Sequence, residues 1–479
     1  METAPAPHRP PVNPSGTATA IRAAGLRKVY QRGQDDLVAL EGLDLTINQG
    51  EFFGLLGTNG AGKSTTIGML TTLVAPTAGR AWVAGHEVGS DPVGVKSRIG
   101  VVPQANTLDR ALTVLDNLAF RGRYFGMSAS AARRRALELL EQFALADKAG
   151  AEVHQLSGGQ ARRVMIGRAL MHLPEVRRVP PPRPQPPGRL PHPDRTRLPA
   201  MTASPLTSTV PREQSSRRAA WRAYRALTAR DLHVLGHNLP VLLLQVGLQP
   251  LLFTFAFAYV MPSIGSGPGG ATSFSTILLP GLMAGTLTLQ SIMSVTGPLA
   301  AELGPGREIA DRALAPLPVW ALGLQKITSS AIFGLVSSLL VVPIVWLVHA
   351  PGAAPRAQVG NWPLLVATLV LSALLASTLG LLLGTAIDAS AFGALLGLLL
   401  AAGTMLGCVY YPWTALDSIG WVQVLTLVNP LVYMSEGLRA NLTPATGHLP
   451  TWAYLTALTF GTAAFGHLAL RRFTRRVRT

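Results

Sequence analysis

A chain of 479 residues exceeds one ordinary domain, and a hydrophobic share of 48% with a mean hydropathy of +0.32 is high for a soluble protein. The net charge of +17 divides into +4 over residues 1–176, +5 over 177–200 and +8 over 201–479, where it sits mainly near the two ends. Basic charge flanking apolar runs sets membrane orientation, and without a nucleic-acid motif on one basic face it excludes a nucleic-acid partner.

Residues 1–20 are rich in Pro, Ala and Thr and lack an apolar core, which reads as a disordered leader and not a secretory signal. Residues 21–176 read as a soluble α/β domain. Val38 to Ile47 alternates apolar and polar residues like a half-buried strand. Glu51 to Leu56 predicts a short apolar strand running into a glycine loop. From Ser64 a helix follows, with Ile67, Leu70 and Leu73 on one face. Ser128 to Leu145 predicts an amphipathic helix facing inward through Leu137, Leu140 and Phe143, and Gly158 to Leu173 predicts another helix.

Residues 177–200 hold nine prolines and six arginines, with no period of 2 or 3.6. Proline breaks both helix and strand. Two readings are open: a natural proline-rich linker, or GC-rich coding sequence read out of frame. The second is favoured because a fresh Met201 with a polar leader follows. The expected division is thus a leader at 1–20, the α/β domain at 21–176, a junction at 177–216 and a membrane domain at 217–479.

A spanning helix needs about 20 mostly apolar residues. Candidates are 240–261, 275–297, 326–348, 363–385, 391–411 and 452–470. Cys408, the single cysteine, falls in an apolar run, reads as a small buried hydrophobe and rules out an intrachain disulfide. Between the last two candidates, 412–444 is too polar and broken to span, which predicts short interfacial or re-entrant helices. Arginines cluster before the first candidate, Arg212 to Arg230, and after the last, Arg471 to Arg478. Both termini are therefore expected in the cytoplasm and loop 349–362 outside. Residues 216–237 predict a helix, either in the headgroup plane or wholly in the cytoplasm.

The chemistry lies in two runs. Gly57-Thr58-Asn59-Gly60-Ala61-Gly62-Lys63-Ser64-Thr65 is a phosphate loop. Its glycines let backbone N–H groups turn toward phosphate oxygens, and the next helix aims its positive end at the same charge. Lys63 would neutralise the β- and γ-phosphates, with the Ser64 hydroxyl on Mg²⁺. The second run, Leu156-Ser157-Gly158-Gly159-Gln160, opens a helix.

With Leu26-Arg27-Lys28-Val29-Tyr30, Gly54-Leu55-Leu56-Gly57 and Ile99-Gly100-Val101-Val102-Pro103-Gln104, these runs make residues 24–176 resemble the ATPase subunit of ABC exporters of the daunorubicin-resistance and nodulation-factor class. The resemblance covers about a third of the chain. It implies ATP and Mg²⁺ as cofactors. Tyr30 would stack on adenine, the alternative being a plain strand-surface tyrosine. Gln104, with Ser64, would touch Mg²⁺. Ser157, Gly158, Gly159 and Gln160 would bind the γ-phosphate of ATP held by a second copy.

Residues 217–479 resemble the type-2 permease partner of the same exporters through Asn429-Pro430-Leu431, Glu436-Gly437-Leu438-Arg439 and the loop Glu302 to Pro318. That loop, with Arg307-Glu308-Ile309, is similar to the segment that docks on the ATPase. Glu436 and Arg439 also fit a local i, i+3 salt bridge near the membrane surface.

The fold class implied is an incomplete α/β P-loop NTPase domain followed by an all-α polytopic domain of about six transmembrane helices. The family pattern asks for Asp and catalytic Glu near 180 and 181, where Pro180 and Pro181 stand, and for a later histidine that reads the γ-phosphate. The only acid and the only histidine over 177–200 are Asp194 and His192, without the context. No catalytic residue is therefore assigned, and loss of a central strand is expected to disturb the sheet as well. The functional expectation is ATP-dependent export of a drug, lipid or glycan-like substrate by a multi-pass cell-membrane protein, acting as a homodimer or with an intact ATPase subunit. The alternatives are a non-hydrolysing permease subunit and an inactive fusion product.

Overall fold

Two long strands open the fold, β1 (Thr19–Arg32) and β2 (Asp35–Asn48), paired antiparallel. The computed structural model describes residues 19–32, 35–172, 216–237, 239–264, 273–304, 308–387, 397 and 403–478. The predicted alternation holds in β2, where Leu43, Leu45 and Ile47 turn inward. β1 also pairs antiparallel with β3 (Ala78–Val83), and β3 with β4 (His86–Glu87), giving the order β2-β1-β3-β4. Helices α1 (Lys63–Leu70) and α2 (Pro92–Arg98) supply Met69 and Val95 to a core with Leu26 and Val83.

The strand expected over Glu51 to Leu56 does not form: the segment is irregular, with Phe52 100% and Leu56 93% exposed. A single apolar strand cannot satisfy its own backbone and needs a ladder partner. Where the family pattern puts the neighbouring strand, the chain reads Val179-Pro180-Pro181-Pro182. The inward face predicted for α1 shifts accordingly. Ile67 is 51% exposed, and Thr66, Gly68 and Met69 are buried instead.

Helices α3 (Val114–Tyr124), α4 (Ala129–Gln142) and α5 (Gly158–Ala169) form a second core around Leu118, Leu139, Leu140 and Val164. Ser128 caps α4 by accepting from the Ala131 N–H. The α4 stripe is Ala132, Ala136, Leu139 and Leu140, so Leu137, expected inward, is largely exposed.

Next come α6 (Ser216–His237), α7 (Leu239–Thr254, continued by a π-helical stretch Phe255–Val260 and a last turn Met261–Ser263) and α8 (Phe274–Glu302). The short α9 (Glu308–Ala313) leads to α10 (Val319–Leu347) and α11 (Trp362–Ala386). Five helices among the described residues are long and apolar enough to cross a membrane: Val246–Ser263, Phe274–Glu302, Val319–Leu347, Trp362–Ala386 and Thr451–Val477. The sixth expected span, 391–411, lies mostly outside the described residues.

Small residues bring these helices together, as apolar solvent demands. A Cβ on Gly281 of α8 would stand 1.8 Å from the Val409 carbonyl oxygen. Ser330 Oγ of α10 donates to the Ser291 carbonyl (2.7 Å) and pairs with Ser377 Oγ of α11 at 3.0 Å. As predicted, 412–444 breaks into short pieces: a 3₁₀ turn at Trp413–Leu416, α12 (Gly420–Thr426) and α13 (Pro430–Leu442), the last capped by Asn429. The expected i, i+3 ion pair Glu436–Arg439 forms, and both side chains are fully buried in the protein. Helix α14 (Thr451–Arg478) ends the chain.

Candidate functional site

The phosphate loop folds against β2. Gly60 and Gly62 take φ of 89° and 77°, a region glycine enters without strain. A Cβ on Gly62 would meet the Ala39 carbonyl oxygen at 2.4 Å, so no other residue fits there. Lys63 Nζ donates to the Gly57 and Thr58 carbonyls at 2.7 and 2.6 Å, which holds the ammonium inside the loop. Gly62 offers α1 no side-chain cap. The first-turn N–H groups are left to face an anion, and the helix dipole favours one. Asn59 and Ser64 are exposed, and Thr65 is half-buried. The loop's donors and ammonium thus fit a polyphosphate. For Mg²⁺ the set contains hydroxyls and no carboxylate.

Tyr30 is half-buried on β1, with Lys28 Nζ 4.8 Å from its ring centre. Gln104 is exposed just after Pro103, whose carbonyl accepts from Arg162 of α5. Ser157 caps α5: its Oγ accepts from the Gln160 N–H (3.3 Å), and Gln160 Oε1 accepts from the Ser157 N–H (2.8 Å). Gly158 and Gly159 are exposed, and an added Cβ would meet nothing within 4 Å. The helix N-terminus is therefore presented on an open face. The phosphate loop and the Ser157 run are separate features of this chain's surface.

The second functional region is the seat of α9, which sequence reading located but did not resolve. Asp311 Oδ1 pairs with Arg168 Nη2 of α5 (3.1 Å) and Arg121 Nη1 of α3 (3.4 Å). Arg121 also donates to the Asp311 carbonyl at 3.1 Å. Lys96 Nζ of α2 donates to the Leu317 carbonyl at 3.0 Å. Arg312 Nη2 reaches Asp109 Oδ2 at 3.1 Å, and Arg230 of α6 pairs with the same oxygen. Arg312 also pairs with Glu302 at the end of α8, and Lys326 Nζ lies 2.8 Å from Glu302 Oε2. Leu112, Phe120 and Tyr124 of the N-terminal part share one apolar core with Leu227, Ile309, Leu317 and Phe473.

Burial pushes the Asp109 carboxyl up, but Arg312 and Arg230 outweigh that and hold it below the usual carboxylate range. Asp231 is raised by burial and lowered further by Arg230 and Lys326, to about 2. His172 stacks on Phe125 with ring centres 3.8 Å apart and reaches the Ile99 carbonyl at 3.0 Å. Burial, and then the Arg121 charge, push it down to about 3. Asp109, Arg121, Arg168, Asp231 and Arg312 were not singled out from sequence. Their one sequence signal is that acids are scarce in a basic chain.

A phosphate loop, a glycine-opened helix and a charge-lined seat joining them to long apolar helices are the features of an ATP-binding cassette joined to a membrane segment. Residues 40–177 match the family model described as ABC transporter, and residues 222–443 match the one described as ABC-2 type transporter. The chain is an ABC transporter ATP-binding segment fused to an ABC-2 type membrane segment. Among curated relatives, the doxorubicin resistance ATP-binding protein DrrA of Mycobacterium tuberculosis (strain CDC 1551 / Oshkosh) is 45% identical over 157 residues, 33% of this chain and 47% of that protein. The linearmycin resistance ATP-binding protein LnrL of Bacillus subtilis (strain 168) is 41% identical over 33% of this chain and 49% of its own length. The Nod factor export ATP-binding protein I of Burkholderia lata is 48% identical over 31% and 49%. The chain spans about half the length of these relatives. Among solved structures, the dimeric ATP-binding cassette MJ0796 bound to ADP and Pi is 32% identical over 32% of this chain and 70% of that one, with a TM-score of 0.30.

Proposed function

We propose that this chain carries out ABC-type export of a drug, lipid or glycan-like substrate, binding ATP itself, with the water-activating carboxylate supplied by a separate intact ATPase subunit. The observation that carries the reading is the α9 seat, where Asp311 and Arg312 of the membrane segment meet Arg121, Arg168 and Asp109 of the ATP-binding segment. A closing ATP-binding segment would push directly on the ends of α8 and α10. Gly57, Asn59, Gly60, Gly62, Lys63, Ser64 and Thr65 would hold the phosphates and Tyr30 the adenine. Ser64 and Gln104 would touch Mg²⁺. Ser157, Gly158, Gly159 and Gln160 would meet the γ-phosphate held by a second copy, or by an intact ATPase subunit. In this reading 21–176 and 217–479 work as units, the membrane is the cell membrane, and both termini are cytoplasmic.

Hydrolysis by the chain alone is the reading's weak step, because general-base assistance supplies about 10²–10⁴ in rate and Pro180 and Pro181 cannot provide it. The purified chain should bind ATP in a Lys63-dependent way and turn it over at a small fraction of an intact relative's rate. Replacing 177–200 with a complete ATPase C-terminal part should restore turnover, and Lys63→Ala should abolish it again. Robust Lys63-dependent hydrolysis by the unaltered chain would contradict the reading, and no ATP binding would favour a permease subunit that relies wholly on a partner. For topology, a cysteine at Ala353 should label from outside the cell and one at Ser216 should not.

A further inference from the structure

Residues 99–109 run from the start of the Gln104 loop to the Asp109 node without forming helix or strand. Carbonyls in such a stretch have no ladder to satisfy them. Three of them, four positions apart, find donors on α5 or just beyond its end. The Ile99 carbonyl accepts from His172 Nε2 at 3.0 Å, the Pro103 carbonyl from Arg162, and the Thr107 carbonyl from Arg168 Nη1 at 2.8 Å. Arg168 does more. Its Nη2 donates to Thr107 Oγ1 at 2.7 Å and lies 3.1 Å from Asp311 Oδ1 on α9. Arg168 and Thr107 are each 4% exposed, so water does not compete for these bonds. The planar guanidinium accounts for the arrangement: with both terminal nitrogens fixed on Thr107, the second Nη2 proton is left for the carboxylate.

We propose that Arg168 is a positioning residue that couples α5 to α9 through Thr107, so that movement of the Ser157 end is passed to the membrane segment. The helix has 12 residues, with Ser157 as its cap and Arg168 in its last turn, and is about 18 Å long. Its closed ladder of backbone bonds makes it move as one piece. Displaced at its N-terminus, it carries Arg168 with it. Arg168 in turn draws on two things at once: the segment that ends at Asp109, and the Asp311 carboxylate. Arg121 reaches Asp311 from α3 by bonds of its own, so it seats α9 without belonging to this connection.

This role rests on the reading of Ser157 to Gln160 as a γ-phosphate site, but the first test needs no nucleotide. Hydrogen exchange is followed on the full chain in detergent at the Leu314 and Ala315 amides, which donate to the Ala310 and Arg312 carbonyls of α9. Thr107→Val removes the hydroxyl and keeps the shape, and should speed this exchange about tenfold. Thr107→Ser should leave it as in the unaltered chain. Arg168→Met should speed it at least as much as Thr107→Val, with α9 still seated by Arg121, Arg312 and Lys96. Adding Thr107→Val to Arg168→Met should change nothing further. Unchanged exchange in Thr107→Val would overturn the proposal, and so would an equal effect of Thr107→Val in the Arg168→Met background. A non-hydrolysable ATP analogue should then shift the exchange of these amides in the unaltered chain and not in Arg168→Met, at equal analogue binding. Absence of the shift in the unaltered chain with analogue bound, or the same shift in both chains, would overturn the coupling. A chain that binds no analogue would contradict the proposed function, while the nucleotide-free comparison still decides the role of Arg168.

Discussion

Replacing Asp109 with Asn removes one negative charge on which two guanidiniums converge. Arg230 and Arg312 both reach Asp109 Oδ2, and the three side chains are 9–15% exposed, so water cannot stand in for the lost partner. Breaking a buried pair from one side costs about 3–5 kcal/mol. Here the lower end applies, because Arg230 keeps Asp231 at 2.7 Å and Arg312 keeps Glu302. A cost of about 3 kcal/mol is a factor of about 150 in the local opening equilibrium. It should fall on the seat of α9 and spare α13, whose ion pair Glu436–Arg439 involves neither Arg230 nor Arg312. Hydrogen exchange on the full chain in detergent reads this directly. Amides of Ala310 to Ala313 should exchange about a hundredfold faster in Asp109→Asn, with α13 unchanged. The sign with pH also follows. A carboxylate held low in the folded state stabilises it above the unfolded-state value, and that contribution is lost as pH falls through the folded one. Acidification toward the depressed value should therefore loosen α9 in the native chain and have little effect on it in the variant. Unchanged α9 exchange in Asp109→Asn would refute the claim that this charge node holds the two segments together.

Three further outcomes are expected. His172, held at about 3 in the fold against about 6.5 when unfolded, is neutral when folded and protonates more readily when unfolded. Stability should therefore fall below pH 6.5, by about 2 kcal/mol at pH 5, and the part of this acid loss due to His172 should vanish in His172→Gln, as read by melting temperature against pH. Glu436→Gln should cost about 3 kcal/mol or more, because the carboxylate accepts from the Trp413 and Leu449 N–H groups at 3.0 and 3.1 Å and pairs with buried Arg439; adding Arg439→Met should cost less than the sum of the single changes in thermal melting. Gly281→Ala should prevent α8 from packing on the Val409 backbone, with the detergent-purified chain aggregating in size-exclusion chromatography where the native chain does not.

What could be read from the sequence was local. Ser128 and Ser157 close their helices through bonds to residues three positions on, so the signal and its effect share one window. The 3.6 and 2.0 periods likewise reveal β2, α6 and the apolar spans. The Asp109 node is different in kind. Arg312 lies 203 residues from Asp109, Arg121 lies 190 from Asp311, and Lys96 meets a carbonyl 221 positions away. No window of any practical width contains both partners. The stripe on α4 differs for a milder reason: Leu140 and Phe143 pack inward and only Leu137 turns out, while Ala132 and Ala136 complete the buried side.

The segment from Glu51 to Leu56 ties these limits to function. Its composition is that of a buried strand, yet burial of a strand belongs to the ladder and not to the segment. β1 and β2 carry their partners within one hairpin, so they pair whatever follows. A parallel strand depends on another strand arriving from far along the chain. In this sequence the candidate neighbour falls where three consecutive prolines stand. Under the proposed reading, one local feature would have two effects. It would withhold the carboxylates that hydrolysis needs, and it would leave Phe52 and Leu56, which are exposed, without a strand partner beside the phosphate loop. Supplying a complete ATPase C-terminal part should therefore reverse both together. Phe52 and Leu56 should become protected from solvent in the same chimeric chain that regains Lys63-dependent turnover. Recovery of turnover without protection of this segment would separate the fold defect from the chemical one and refute their common origin.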